Sequence, residues 1–280
     1  VIEDAEGLLY VFELISPGQV PRREEMAATL EALSARGLQT IPKYLPSLNG
    51  DYIVFHGSDI CQLSPCVEGI ELVRPGYIFE EWRGVALANF LVAMRDKAHP
   101  SLPLTKSRPF SILAFIDDML RKMPQSNPDI AEKTADIIDF LNADFRHVHD
   151  RLPVIFCHGD FHPLNVIWSK NGISAVIDWE FMGIKPEFYD VANLIGCVGM
   201  EYPHGLTGDL TINFLITLDN ARFLSPTSRQ YLPEAVIALR FAWLSVWLRN
   251  GDQEMIAMET RYLRILYQNL ADLKYSWGCE

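Results

Sequence analysis

The chain has 280 residues, 49% of them hydrophobic and 21% charged, a globular composition with enough apolar mass for one large domain or two unequal lobes, and disorder is excluded. Lys and Arg number 24 against 36 Asp and Glu, a formal charge of −12 with no Lys/Arg run, so a nucleic-acid backbone is excluded as partner and neutral or cationic small ligands fit better. The five cysteines are odd in number and lack metal-ligand spacing, the apolar run 235–248 is too short for a span and is interrupted by Arg240, and the start Val1-Ile2-Glu3-Asp4 is acidic where a signal peptide is basic. The expectation is a protein without a membrane partner in a reducing, cytoplasmic setting.

In chain order, residues 8–15 read as a strand closed by the turn signals Ser16-Pro17-Gly18. A helix follows: Pro21 suits its first turn, Glu24 and Glu25 its positive end, and Met26, Leu30 and Leu33 its apolar stripe, with Gly37 ending it. Short strands at 51–56 and 60–63 bracket a turn at Gly57-Ser58. From Ser64 onward the character changes, and 80–97, 108–123, 130–149, 233–250 and 253–273 carry helical patterning. The 233–250 helix is apolar nearly all round and belongs inside the larger lobe. Trp243 and Trp247, four apart on its face, read as core packing in preference to a wall for a cation.

One β-rich island interrupts the helical part. Val154-Ile155-Phe156-Cys157 leads into His158-Gly159-Asp160-Phe161-His162-Pro163-Leu164-Asn165 and then Val166-Ile167-Trp168. The Asn171-Gly172 turn starts a second apolar run, 173–177, that ends abruptly in Asp178-Trp179-Glu180. An acid at the tip of an apolar strand is costly unless paired or bound to a cation, so Asp178 invites a metal. Phosphoryl transfer needs this set of groups: a carboxylate to receive the acceptor's proton, and hard oxygen ligands for Mg²⁺. Asp160 suits the first role. Asn165, five positions later, and Asp178 suit the second.

His158-Gly159-Asp160 with Asn165, then Ile177-Asp178-Trp179-Glu180 and Tyr189-Asp190-Val191-Ala192, resembles the aminoglycoside phosphotransferase and choline kinase family, relatives of protein kinases. The resemblance implies an α+β, two-lobed protein-kinase-like fold: a small β-rich N-lobe at 1–63, a hinge at 64–69 and a larger, mainly helical C-lobe at 70–280. It implies an ATP- or GTP-dependent phosphotransferase acting with Mg²⁺ on a hydroxyl of a small molecule, with amino-alcohols and aminoglycosides as the favoured acceptors. Asp160 becomes the catalytic base, Asn165 and Asp178 the metal ligands, and His158 and Asp190 supports of the loop. Ser64, Cys66 and Val67 fall where the family binds adenine, and Trp179 and Glu180 are candidates for the acceptor side.

The pattern fails at one place. Glu13 occupies the strand position where the family carries a phosphate-binding Lys, its partner Glu aligns with Met26 or Glu25, and the strand pair and glycine-rich turn expected ahead of Val1 are not in the sequence. Either a cation from elsewhere, such as Arg22 or Lys43, substitutes, or the chain is a catalytically weak or silent kinase-fold protein that binds nucleotide or a partner.

Overall fold

A computed structural model describes residues 1–98, 102–104 and 109–279. Its N-terminal part is an antiparallel sheet in the order β1-β2-β4-β3, formed by β1 (Ile2–Glu3), β2 (Leu9–Leu14), β3 (Val54–His56) and β4 (Asp59–Pro65). The central pairing sets Glu13 opposite Gln62 and Val11 opposite Ser64. Helix α1 (Val20–Ala35) crosses this sheet. It starts after a short helical turn in which the Ser16 amide N–H donates to the Gln19 side chain, and it ends where Gly37 adopts φ +96° and its N–H donates to Ser34 O.

Burial is divided unevenly. Ile15, Ile53 and Ile60 form a small core of their own, whereas Met26, Leu30 and Leu33 of α1 join the core that runs through the rest of the molecule. The two parts are therefore coupled through α1 and through the Val176 N–H, which donates to Thr40 O at 2.9 Å.

The larger part is helical: α2 (Glu81–Ala98), α3 (Ile112–Ser126), α4 (Pro128–Ala143), α5 (Phe145–His149), α6 (Tyr189–Glu201), α7 (Asp209–Asn220), α8 (Pro226–Gln230), α9 (Leu232–Asn250), α10 (Gln253–Gln268) and α11 (Leu270–Trp277). Helices α2 and α7 approach closely enough that a Cβ on Gly84 would lie 2.1 Å from Leu210 O. The buried Arg240 of α9 forms a two-pronged ion pair with the buried Glu259 of α10, at 2.7 and 2.6 Å. Between α5 and α6 lie two hairpin-like pairs, β5 (Val154–Cys157) with β8 (Gly183–Pro186) and β6 (Val166–Ser169) with β7 (Gly172–Val176). The fold is a two-lobed, protein-kinase-like α+β fold with a small strand-rich N-terminal part and a mainly helical larger part.

Several expected boundaries move. The 51–56 strand shortens to β3, and the helices expected over 130–149 and 253–273 each divide, at Asp144 and Asn269. The helix expected from Arg108 begins at Ile112, where the Ser111 hydroxyl accepts the Ala114 N–H at 3.2 Å; Arg108 itself lies outside the described residues. Strands β1 and β8 and helix α7 were not expected, the strands because runs of two and four residues carry too little alternation to read.

Candidate active site

The loop between β5 and β6 is built around a backbone turn that only glycine can make. Gly159 has φ +90°, and a Cβ there would sit 2.0 Å from Phe181 O. The turned amides are received by one carboxylate: the His158 N–H donates to Asp190 Oδ2 at 2.7 Å and the Gly159 N–H to Asp190 Oδ1 at 2.8 Å. Asp190 lies in the first turn of α6 and is buried; burial pushes its carboxyl up to about 6 against the pull of those two amides and of Lys185.

His158 ties the two strands of chemistry together. Its Nε2–H donates to Ile177 O at 2.9 Å, immediately before Asp178, while its Nδ1 accepts the Asp160 N–H at 3.2 Å. These partners select the neutral ring, and burial pulls its pKa down to about 4, so the imidazole is a strut and carries no proton to exchange near neutrality. Asn165 completes the frame. Its Nδ2 donates to Asp160 Oδ2 at 3.0 Å and to Asp160 O at 2.9 Å, and its backbone O accepts the Ile177 N–H at 2.9 Å.

Electrostatics divide the two acids. Burial acts to raise the Asp160 pKa, but His162, His158 and Asn165 outweigh it and hold the carboxyl below its ordinary value. Asp178 goes the other way, raised by burial and by the charges of Asp160 and Glu180, and it stands at φ +65°, a left-handed conformation uncommon for a residue with a side chain. The donor types suit a hard cation: with its NH₂ committed to Asp160, the Asn165 amide has Oδ1 left, and a cation would relieve the raised charge cost of the Asp178 carboxylate. Among the described residues no group of three or more His, Cys, Asp or Glu is arranged to hold a metal ion by itself, so Mg²⁺ would draw its other ligands from phosphate and water.

On one side of these acids lies a cleft of about 380 Å³. The segment Ser64, Pro65, Cys66, Val67 forms one wall, Glu13 and Arg23 another, and Asp178 and Glu180 the floor. Ser64 is buried on β4, and the Cys66 N–H donates to Leu9 O at 2.9 Å, so that amide is spent on the chain itself. The arginine in the lining of this cleft is Arg23, not Arg22. Its Nη1 is 3.1 Å from Glu13 and its Nη2 is 2.7 Å from Glu180. Arg22 is occupied elsewhere, donating to Glu180 O and Met182 O and pairing with Glu25 at 2.6 Å, while Lys43 is exposed and absent from the cleft's lining. Met26, aligned with the expected Glu, is a buried part of the wall.

A second cavity, of about 350 Å³, starts at His162, Pro163 and Leu164 and extends under α6, α9 and α10. His162 connects it to Asp160: Nδ1 accepts the Leu164 N–H, and Nε2 lies 3.6 Å from Asp160 Oδ2. A second link runs from Trp243 Nε1–H to Asn193 Oδ1 and from Asn193 Nδ2–H to Asp160 Oδ1, both at 3.4 Å. Trp243 and Trp247, expected inside the core, are half-buried and stack on the wall of this cavity with ring centroids 6.0 Å apart. Trp179 is corrected in the opposite sense. It is buried, its ring centroid 4.5 Å from that of His158 and its indole N–H donating to Val176 O, so its side chain is out of reach of an acceptor. Glu180 faces Arg23 in the first cleft, away from the second. Sequence reasoning missed Arg23 and Asn193; for Asn193, the spacing of three from Asp190 on one helix was the signal available.

The family model described as "Phosphotransferase enzyme family" matches residues 1–227. No curated protein matches the chain. Among solved structures, an aminoglycoside phosphotransferase from Alicyclobacillus acidocaldarius subsp. acidocaldarius superposes with TM-score 0.68 at 16% identity, covering 99% of this chain and 89% of that one. The amicoumacin kinase hAmiN, in complex with AMP-PNP, Ca²⁺ and Ami, gives TM-score 0.68 at 14% identity over 95% and 84% of the two chains. A choline/ethanolamine kinase family protein from Mesorhizobium loti gives 0.59 at 16% identity over 92% and 82%. At these identities the likeness establishes the fold.

Proposed function

Since this chain belongs to the phosphotransferase enzyme family, we propose that it transfers the γ-phosphate of ATP or GTP, with Mg²⁺, to a hydroxyl of a small molecule. The observation that carries this reading is the coupling of two acids and an amide: His158 and Asn165 each bridge from Asp160 to the strand end that holds Asp178.

Asp160 is the base. Its lowered pKa keeps it ionised near neutrality, and Asn165, Asn193 and His162 hold the carboxylate so that it can receive the acceptor's proton. The acceptor oxygen then forms its bond to the γ-phosphorus as the bond from that phosphorus to the β-bridging oxygen breaks, and the nucleoside diphosphate leaves. Asn165 and Asp178 would hold Mg²⁺, which would supply charge neutralisation at the phosphates. Residues 64–69 act as the hinge between the two lobes, with Ser64, Cys66 and Val67 lining the base-binding end of the first cleft; since the Cys66 N–H is engaged by Leu9, the base depends on the other backbone groups there. Arg23 grips phosphate oxygens from a helix where the family uses a strand Lys. Glu13 then has a role as its anchor, a charge-reversed version of the family's ion pair. This cation favours a working enzyme over a silent nucleotide- or partner-binding protein.

The test is direct. Asp160→Asn should fold as the parent does and bind nucleotide with Mg²⁺, yet lose about 10² to 10⁴ in turnover, the usual contribution of a general base. Asp178→Ala should lose Mg²⁺-dependent nucleotide binding measured by calorimetry. Parent-like phosphate transfer by both variants would refute the assignment.

A further inference from the structure

We infer that the second cavity selects an uncharged, apolar-bodied alcohol as the phosphate acceptor and rejects polyamines. The inference rests on the phosphotransferase reading, and it departs from the cationic acceptors that the overall charge of −12 favours.

The argument is an accounting of charges at the cavity. Glu201 has both carboxylate oxygens engaged: Arg74 Nε lies 2.6 Å from Oε1, and the Tyr77 hydroxyl donates to Oε2 at 2.7 Å. Arg240, also in the wall, is neutralised by Glu259. Each charge lining the cavity therefore has an opposite partner in the chain. Asp160, which His162 of the lining contacts, is held by Asn165 and His162 for the proton transfer. A ligand ammonium entering this space would be desolvated without a counter-ion.

Aromatic faces are the usual alternative partners of a cation. Here Trp243 already has two partners. The Arg240 guanidinium carbon lies 5.7 Å from the Trp243 ring centroid, and Trp243 also stacks on Trp247 with planes 24° apart. What is left for a ligand is a lining of Leu164, Met200, Met255 and Met258 beside those two indoles. Thioethers and flat rings match irregular hydrocarbon surface, and Met adjusts its rotamers to the shape it meets. A hydroxyl at the His162 end of such a body meets the imidazole whose Nε2 lies 3.6 Å from Asp160 Oδ2. Its proton passes to that carboxylate, and the new O–P bond forms as the γ-phosphate leaves the nucleoside diphosphate.

The test uses the full chain with ATP and Mg²⁺ and two sets of probes: 2-phenylethanol, cyclohexanemethanol and a monoterpene alcohol as neutral acceptors, and choline and kanamycin as cationic ones. Nucleoside diphosphate release and the phosphorylated product are both measured. At least a tenfold higher kcat/KM for the best neutral alcohol is the expected result; an equal or higher value for choline or kanamycin overturns the inference. Indole fluorescence gives a readout independent of turnover: in Asp160→Asn, the neutral alcohols should quench Trp243 and Trp247 emission, and Trp247→Phe should diminish the quench. Met258→Glu adds an unpaired acid to the wall and should raise choline kcat/KM relative to 2-phenylethanol at least fivefold; an unchanged ratio counts against the charge argument. If the parent binds ATP and Mg²⁺ but transfers to cations, only this inference fails, whereas loss of the phosphotransferase reading would appear as no nucleotide binding and no transfer to either set.

Discussion

The loop around Asp160 and the wall across the first cleft hold their functional groups by different means. The loop uses buried neutral or backbone partners: two amides on Asp190, one imidazole spanning 158 to 177, one carboxamide on Asp160. The facing wall uses ion pairs in partial contact with water, with the Glu13 side chain 32% and the Glu180 side chain 42% exposed against 12% for Arg23. Buried hydrogen bonds give one geometry at high cost of disruption, while half-exposed ion pairs are each worth little and exchange partners readily. On the proposed function, a base at Asp160 has to stay in place relative to a metal, whereas Arg23 has to exchange a protein carboxylate for a phosphate.

This contrast is broken most severely at Gly159. Gly159→Ala sets a methyl against Phe181 O on a left-handed backbone, and about 3 to 5 kcal/mol of folding stability should be lost, read by denaturant titration. A loss under about 1 kcal/mol would mean that the loop is as yielding as the opposite wall.

The next test is pH. Asp190 has a folded-state pKa raised to about 6 from 3.8, so it takes up a proton as pH falls through about 6 and its charge-assisted hold on the His158 and Gly159 amides weakens. Near pH 5 that species is about a tenth ionised, and kcat/KM should have fallen about tenfold from this group alone. The stability contribution has the opposite sign. A raised folded pKa means that the native state binds the proton more tightly, so this group's contribution to stability is full below 3.8 and is lost as pH rises through about 6. Activity should therefore decline on the acid side while the melting temperature does not decline on Asp190's account, and Asp190→Asn should abolish the inflection near pH 6. An inflection retained in that variant would assign it elsewhere.

The smallest effects belong to the ion-paired wall. Arg23→Met should weaken ATP binding about tenfold by calorimetry, roughly 1.4 kcal/mol, with little change in melting temperature. Glu13→Lys alone should weaken it too, because it sets a second cation against Arg23, whereas Glu13→Lys combined with Arg23→Glu restores an ion pair in the reversed sense and should recover binding. Tight binding by Glu13→Lys alone would return the strand position to its usual role in the family and leave Arg23 as a structural residue.

Much of the island was legible because its signals are local. A strand ending in an acid, a five-residue interval between Asp160 and Asn165, and an Asn-Gly turn are set by neighbours in the chain, and bonds across short separations join Asp160 to Asn165 and Asn165 to Ile177, the residue before Asp178. Side-chain direction was not legible. Trp179 and Glu180 are adjacent, yet one ring is packed on His158 in the core and the other residue reaches Arg23, 157 positions away. Trp243 and Trp247 fit a buried helix face by spacing, and only the packing of α6 and α10 leaves them on a cavity wall.

From the amino-acid order came the acid-amide-acid set, carried by residue types at short intervals, and, through the family resemblance those motifs carry, the kinase-like fold class and the departure at the strand Lys position. The tertiary structure decided which arginine serves the cleft, which carboxylates are already neutralised, and which faces of the tryptophans are free. Those are properties of distances between segments far apart in the chain, and charge pairing depends on distance and burial, which no local pattern encodes.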